Sequence, residues 1–163
     1  MHDAFAPLAY ATLGALAVVG TVSVLGDGPD PEPSVQVELA NAPTVDGSDQ
    51  TVDTLVGTVR EAARLVDGAD PDVDLHVVLA DDLGPLLDDG RALLAGQQRG
   101  DTIFVRTSVA WPERTLLHEA AHAMTPGDGH GPRWQAVYLE AFRQTFGPED
   151  AEHEARRIEH NYG

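Results

Sequence analysis

The chain has 163 residues and a formal net charge of −17, because 27 acidic residues stand against 10 basic ones. A field of this sign repels nucleic acids and anionic lipid surfaces, so neither is expected as a partner. The sequence contains no cysteine, which excludes disulfides and thiolate metal ligands. All the basic residues are arginine, and this acidic, lysine-free composition is typical of salt-adapted proteins and of GC-rich genomes.

The N-terminal region is apolar. Residues 4–25 carry no charged side chain, and a helix of that length spans roughly 30 Å of hydrocarbon. Only Met1, His2 and Asp3 precede this stretch, so it lacks the basic start of a secretory signal peptide. The sequence predicts a single-pass transmembrane anchor over residues 1–25, with a cleaved signal and a buried or interfacial helix as the alternatives. The acidic segment that follows carries no basic retention signal, which favours an extracytoplasmic domain.

Residues 26–34 form the predicted linker. Proline occupies positions 29, 31 and 33, and alternate prolines favour a stiff, extended polyproline II chain. We expect this segment to hold residues 35–163 away from the bilayer. That remainder is long enough for one modest hydrophobic core and therefore for one domain.

The first half of this domain contains strand and helix patterns. Residues 34–40 alternate between apolar and polar side chains, and residues 73–80 follow an Asp-Pro turn, so both segments are predicted strands. Residues 53–66 place Leu, Val and Ala at helical spacing before a glycine, which predicts a helix. A third strand is predicted over residues 101–107.

The most specific pattern follows the third strand. Residues 118–122 read His-Glu-Ala-Ala-His, which is the H-E-x-x-H pattern. On a helix His118 and His122 lie one above the other on the same face, so both imidazoles can bind one metal ion. Glu119 lies about 100° round the helix and beside the ion. A carboxylate in that position can take a proton from a zinc-activated water.

Two residues are candidates for the third ligand. A loop rich in glycine and proline ends at His130, just before a second helix that Pro132 opens. This loop can return His130 to the metal, which gives three nitrogen ligands and leaves one position open for water, as in catalytic zinc sites. Glu140, on the second helix, would instead give a His-His-Glu site. We favour His130, and its spacing from the motif excludes the metzincin pattern.

Three further side chains near the motif have two interpretations each. Asp128 is either an acceptor for an imidazole N–H or an ordinary turn residue. Arg133 either binds a substrate carboxylate or is a solvated residue at a helix start. Tyr138 lies in the apolar stripe of the second helix, which favours packing over oxyanion stabilisation. A last helix is predicted after Pro148, with Ala151, Ala155 and Ile158 on its inner face; His76, His153 and His160 are not assigned to a metal.

Residues 116–134 read LLHEAAHAMTPGDGHGPRW and resemble the core of the SprT-like and WLM-type minimal zincins, in which a third histidine follows H-E-x-x-H after a short loop. The resemblance implies that His118, His122 and His130 bind one Zn²⁺ and that Glu119 is the general base. It also implies a small α+β domain, with a short mixed sheet, the H-E-x-x-H helix and packing helices. In zincins the strand before the motif usually borders the cleft and pairs with extended substrate, whereas a plain core strand would have the same sequence pattern.

The sequence supports two functions from different classes. The first is a membrane-anchored zinc metallopeptidase that hydrolyses peptide bonds in a peptide or protein substrate. The alternative is a non-catalytic, zincin-like module that is anchored at the membrane and binds a partner or a structural metal. Glu119 separates the two, because a structural site needs no general base.

Overall fold

The structure is a computed structural model that describes residues 33–39, 48–87 and 95–162. The predicted anchor over residues 1–25 lies outside the described residues, as does most of the predicted linker, and both stay predictions. Within the described ranges, no helix combines the length and the apolar character that a membrane crossing requires.

In the described ranges the strands form one small sheet and the helices pack around it, which confirms the predicted α+β class. The sequence patterns predict seven of these elements and miss two, α2 and β3. In chain order they are β1 (Val35–Leu39), α1 (Ser48–Ala63), β2 (Leu75–Ala80), α2 (Gly84–Leu87), β3 (Gly96–Arg99), β4 (Thr102–Arg106), α3 (Pro112–Met124), α4 (Pro132–Phe146) and α5 (Pro148–Tyr162).

The sheet is mixed and has the order β1-β2-β4-β3. β1, β2 and β4 are parallel, and β3 joins β4 antiparallel through a tight turn at Gly100 and Asp101. Gly100 has a φ of 64°, which a glycine adopts without strain. Because β4 pairs with a strand on each side, it is a core strand, which is the second of the two interpretations of residues 101–107, and it presents no free edge to substrate. β3 is the edge strand on that side of the described sheet.

The core lies between the sheet and the helices. Alternation along β4 directs Ile103 and Val105 into the main core and Phe104 to the opposite face, where it packs on Leu83 and Leu87. α1 contacts β1, and α3 contacts β3 and β4; α4 packs against α1 and α3, and α5 packs on α4. The motif helix α3 is therefore held between the sheet and α4.

Both ends of α3 are well defined. Pro112 occupies its first turn, where a missing N–H breaks no helical hydrogen bond. At the other end the buried Thr125 hydroxyl donates to the Ala121 carbonyl at 2.7 Å. The backbone N–H of Asp70 donates to the Met124 carbonyl at 2.7 Å. These contacts fix the turn that carries the second histidine of the motif.

β3 approaches α3 closely at Gly96. A Cβ atom at this position would overlap Thr115 Cγ2 and would lie 2.9 Å from the Phe104 carbonyl oxygen. We expect Gly96→Ala to force β3 away from α3 and to lower the free energy of unfolding by about 1–3 kcal/mol, measured by urea titration. Gly57→Ala is the control, because a Cβ at this position in α1 meets no atom within 4 Å. The control should be neutral or stabilising by up to about 1 kcal/mol, and equal effects of the two substitutions would contradict the close approach.

Candidate metal centre

Three histidines converge on one point. His118 and His122 project from successive turns of α3, and His130 comes from the loop between α3 and α4. Their Nε2 atoms are 3.2 Å apart in each of the three pairs. Within the described part of the chain, these three residues form the group of side chains close enough together to hold a metal ion.

The loop that carries His130 reverses direction over a few residues. Gly127 and Gly129 have φ values of 77° and 59°, in the left-handed region that favours glycine. The Asp128 carboxylate accepts the backbone N–H of Trp134 at 2.9 Å, and so satisfies a free donor at the start of α4. Asp128 therefore has the role of a turn and capping residue, and the interpretation as an imidazole acceptor is not needed.

Arg133 ties this loop to another part of the molecule. Its Nε donates to Asp128 at 3.2 Å, and its Nη1 donates to the Gly68 carbonyl, beyond the end of α1, at 2.9 Å. The guanidinium thus joins two segments of the protein. The interpretation of Arg133 as a ligand for a substrate carboxylate has no support from these contacts.

Aromatic rings surround the imidazoles. Trp134 is fully buried, and its ring centroid lies 4.7 Å from that of His118, 5.1 Å from that of His122 and 4.5 Å from that of His130. Its indole Nε1 donates to the His118 carbonyl at 3.3 Å. On another side Tyr162 stacks on His130, with centroids 3.9 Å apart and an interplanar angle of 14°. The aromatic residues Trp134, Tyr138 and Phe142 of α4 belong to the core, and Trp134 and Tyr138 also contact the candidate ligand His118.

Burial makes these imidazoles poor bases. It lowers the pKa of His118 to about 3, with further lowering by His122 and His130. It lowers the pKa of His122 to about 4, although a hydrogen bond to the Gly129 backbone acts in the opposite direction. The pKa of His130 is also lowered by burial. The three rings are therefore neutral near pH 7, which is the form that binds a metal.

The donor set fits a tetrahedral metal ion. Three nitrogens at zinc–ligand distances of about 2.0–2.1 Å and tetrahedral angles are about 3.3 Å apart, close to the 3.2 Å found here. The three Nε2 atoms cannot all be joined by linear hydrogen bonds, because each neutral imidazole has only one N–H to donate. A cation at their centre satisfies all three lone pairs, which identifies a candidate metal site and leaves the metal open.

Glu119 lies on α3 next to His118, and both residues line an open cleft. Burial raises the pKa of its carboxyl to about 7, although a hydrogen bond from the Gln98 backbone in β3 acts to lower it. A carboxyl with a pKa near neutrality can both accept and return a proton under physiological conditions.

An open cleft of about 430 Å³ runs past His118 and Glu119. β3, the segment before α3, and the helices α3, α4 and α5 each contribute to its walls. The lining residues are Ala95, Gly96, Val109, Ala110, Trp111, Arg114, Thr115, His118, Glu119, Tyr138, Arg157 and Tyr162.

A buried carboxylate organises one wall of this cleft. Glu154 of α5 is 5% exposed and accepts the Tyr138 hydroxyl at 2.7 Å. It also pairs with Arg114 at 2.9 Å and with Arg157 at 2.6 Å. Tyr138 therefore packs in the core, as predicted, with its hydroxyl engaged by Glu154. Glu154 is not among the residues predicted for the site, although its spacing from Ala151 and Ile158 places it on the inner face of α5.

Glu140, the alternative third ligand, lies outside the histidine group. Its carboxylate accepts Arg143 Nη2 at 2.6 Å and Gln144 Nε2 at 2.9 Å. These hydrogen bonds lower the pKa of Glu140 to about 2. The structure thus favours His130 over Glu140. The histidines left unassigned in the sequence, His76, His153 and His160, also lie outside the group.

Comparisons with protein-family models, with curated proteins and with solved structures each give no match. The resemblance of residues 116–134 to minimal zincins therefore stays a prediction.

Proposed function

We propose that the protein is a zinc-dependent peptidase that uses His118, His122 and His130 as metal ligands and Glu119 as general base. The observation that carries this proposal is the triangle of Nε2 atoms, 3.2 Å on each side, beside a cleft that contains Glu119. Three protein ligands leave one coordination position open, which distinguishes a catalytic zinc site from a structural one with four. The resemblance to SprT-like and WLM-type zincins belongs to the same proposal.

The residues divide the work of hydrolysis. When bound, zinc supplies the Lewis acidity that activates a water molecule at neutral pH. Glu119 accepts a proton from the attacking water and returns it to the leaving amine. Burial, which raises the pKa of its carboxyl, strengthens Glu119 as a base for the first transfer. Gln98 holds the carboxylate through its backbone, and Gly96 lets β3 lie close enough to do so.

The edge strand β3 offers a binding surface for an extended peptide. The Arg106 N–H donates to the Ala95 carbonyl, so Ala95 and Arg106 are a hydrogen-bonded pair. From this pair onward, hydrogen-bonded and non-hydrogen-bonded pairs alternate along β3 and β4. By that alternation, the backbone groups of Gly96 and Gln98 face away from β4. The Gln98 N–H is engaged by Glu119, so the N–H and C=O of Gly96 and the C=O of Gln98 are the groups that would pair with a peptide. A peptide that pairs with this edge would bind through main-chain hydrogen bonds, which tolerate many side chains. A peptide or protein is thus the substrate class that the site supports.

The test is zinc-dependent cleavage. The purified full-length protein, loaded with zinc, is incubated with an unfolded protein substrate and the fragments are identified by mass spectrometry. We expect cleavage that a chelator stops and that added zinc restores. A protein that binds zinc in the predicted stoichiometry but cleaves neither unfolded proteins nor a peptide library would be the non-catalytic module, and the peptidase proposal would be wrong.

A further inference from the structure

The cleft has a cationic wall next to the candidate metal site. Arg114 of α3 and Arg157 of α5 line it together with His118 and Glu119. Both guanidinium groups point to the carboxylate of Glu154. Arg114 Nη2 lies 2.9 Å from Glu154 Oε2, and Arg157 Nη2 lies 2.6 Å from Oε1.

Burial is unequal within this cluster. The side chain of Glu154 is 5% exposed, whereas those of Arg114 and Arg157 are 30% and 40% exposed. Glu154 also accepts the Tyr138 hydroxyl and the Nε of Arg157 at 3.0 Å. The carboxylate is therefore enclosed, and the two guanidinium groups present their remaining surface to the cleft.

The charges in the cluster do not balance. Two guanidinium groups face one carboxylate, which leaves one positive charge in excess within this cluster. Two other ion pairs, on α4 and α5, join one arginine to one carboxylate: Arg143 with Glu140, and Arg156 with Glu152. In a chain of net charge −17, a cluster with an excess positive charge is a local reversal of sign. An arginine whose position is already fixed binds an anion with little further loss of side-chain freedom.

We propose that Arg157 and Arg114 form a specificity site that binds a carboxylate of the peptide substrate, next to the bond that is cleaved. The carboxylate is either an Asp or Glu side chain or the free C-terminus of the peptide, since both present the same group to the guanidinium fork. The inference rests on the proposed peptidase function, because it names the substrate class of that site. A charge-assisted hydrogen bond of this kind changes affinity by about tenfold or more.

The test measures binding without turnover, in full-length, zinc-loaded protein that carries Glu119→Gln. Three labelled peptides, which differ only at one central residue or at the C-terminus, are compared by fluorescence anisotropy. The first is neutral with an amidated C-terminus, the second has one central Glu in place of Gln, and the third is neutral with a free C-terminus. We expect the second or the third to bind about tenfold tighter than the first or better, and the one that does so identifies the source of the carboxylate. The preference should weaken as salt is added.

Variants assign the preference to residues. Arg157→Gln leaves Glu154 paired with Arg114, so the buried carboxylate keeps a counter-charge and the fold should persist, which thermal unfolding checks. We expect Arg157→Gln to lose the preference and Arg157→Lys to retain part of it. Arg156→Gln is the matched control. Arg156 lies on the same helix and is 60% exposed, and its substitution removes the same charge. It should keep the full preference.

Two results would overturn the carboxylate site: equal binding of the three peptides, or a preference that survives unchanged in Arg157→Gln and in Arg114→Gln. The outcome is separable from that of the peptidase proposal. Cleavage by the wild type without any carboxylate preference would leave hydrolysis in place and remove this inference. A preference in a protein that cleaves nothing would support the carboxylate site and count against hydrolysis.

Discussion

Glu119→Gln is expected to leave metal binding intact and to lower peptide cleavage by about 10²–10⁴-fold, the range that a positioned general base contributes. The amide has nearly the same shape as the carboxylate, so the packing of Glu119 against β3 is preserved. The amide oxygen of Gln is a much weaker base than the carboxylate of Glu, so the variant cannot take a proton from the attacking water. The measurement is kcat/KM for a peptide that the wild type cleaves, with zinc content determined on the same samples.

Glu140→Gln is the matched control for this substitution. It makes the same chemical change on α4, where the carboxylate pairs with Arg143 and Gln144 and lies outside the histidine group. Its zinc content and kcat/KM should equal those of the wild type. Turnover at the wild-type rate in Glu119→Gln would contradict the role of Glu119 as general base. Zinc loss in Glu140→Gln would support the His-His-Glu site instead.

Zinc is expected to stabilise the folded domain strongly. A ligand that binds only the folded state at about a thousand times its dissociation constant adds about 4 kcal/mol to the free energy of unfolding. For a domain of this size that is a rise in Tm of about 10 °C. The ion would join α3 to the loop that carries His130, two segments that meet through the three imidazoles. The measurement is Tm by differential scanning fluorimetry, with zinc and after chelation.

Two variants make this result specific. His122→Ala removes one ligand, so its Tm should respond little to zinc or to a chelator. His153→Ala removes an exposed histidine of α5 that lies outside the group, and it should respond as the wild type does. A zinc-dependent rise in Tm of the same size in His122→Ala would show that the ion stabilises the protein from another site.

The sequence was informative about the three-histidine group because the determinants of that group are local. The spacing of His118 and His122 on a helix places both rings on one face, whatever lies around them. The return of His130 depends on the glycines of a short loop and on Asp128, all within a few residues of it. Each of these signals can be read from a single stretch of the chain.

The cationic wall could not be predicted in the same way. Arg114 and Glu154 are separated by 40 residues, and their contact depends on how α5 packs on α4. Helical spacing places Arg157 beside the inner face of α5 and Arg156 away from it, but it does not show which helix Arg157 approaches. The burial of Glu154 was readable from helical spacing, but a carboxylate at an inner position conflicts with the usual apolar face and was passed over.

The edge strand β3 was missed for a different reason. Its residues Gln97 and Gln98 are polar and give no alternating apolar pattern, since this strand lies at the edge of the sheet. The Gly-Asp pair between β3 and β4 is a two-residue hairpin signal and could have revealed it. Helix α1 begins at Ser48, earlier than predicted, because its first turns carry polar side chains without apolar periodicity. Prediction therefore succeeded where apolar side chains recur at the period of a helix or a strand, and failed for β3 and the start of α1, where they do not.

The most direct test of the three-histidine centre is metal content, measured by mass spectrometry on purified full-length protein after zinc is offered at neutral pH and excess is removed. We predict one zinc per chain in the wild type and in His153→Ala, and little or none in His130→Ala. No zinc in the wild type would contradict the metal centre itself. Zinc retained at one per chain with unchanged affinity in His130→Ala would contradict the assignment of the third ligand.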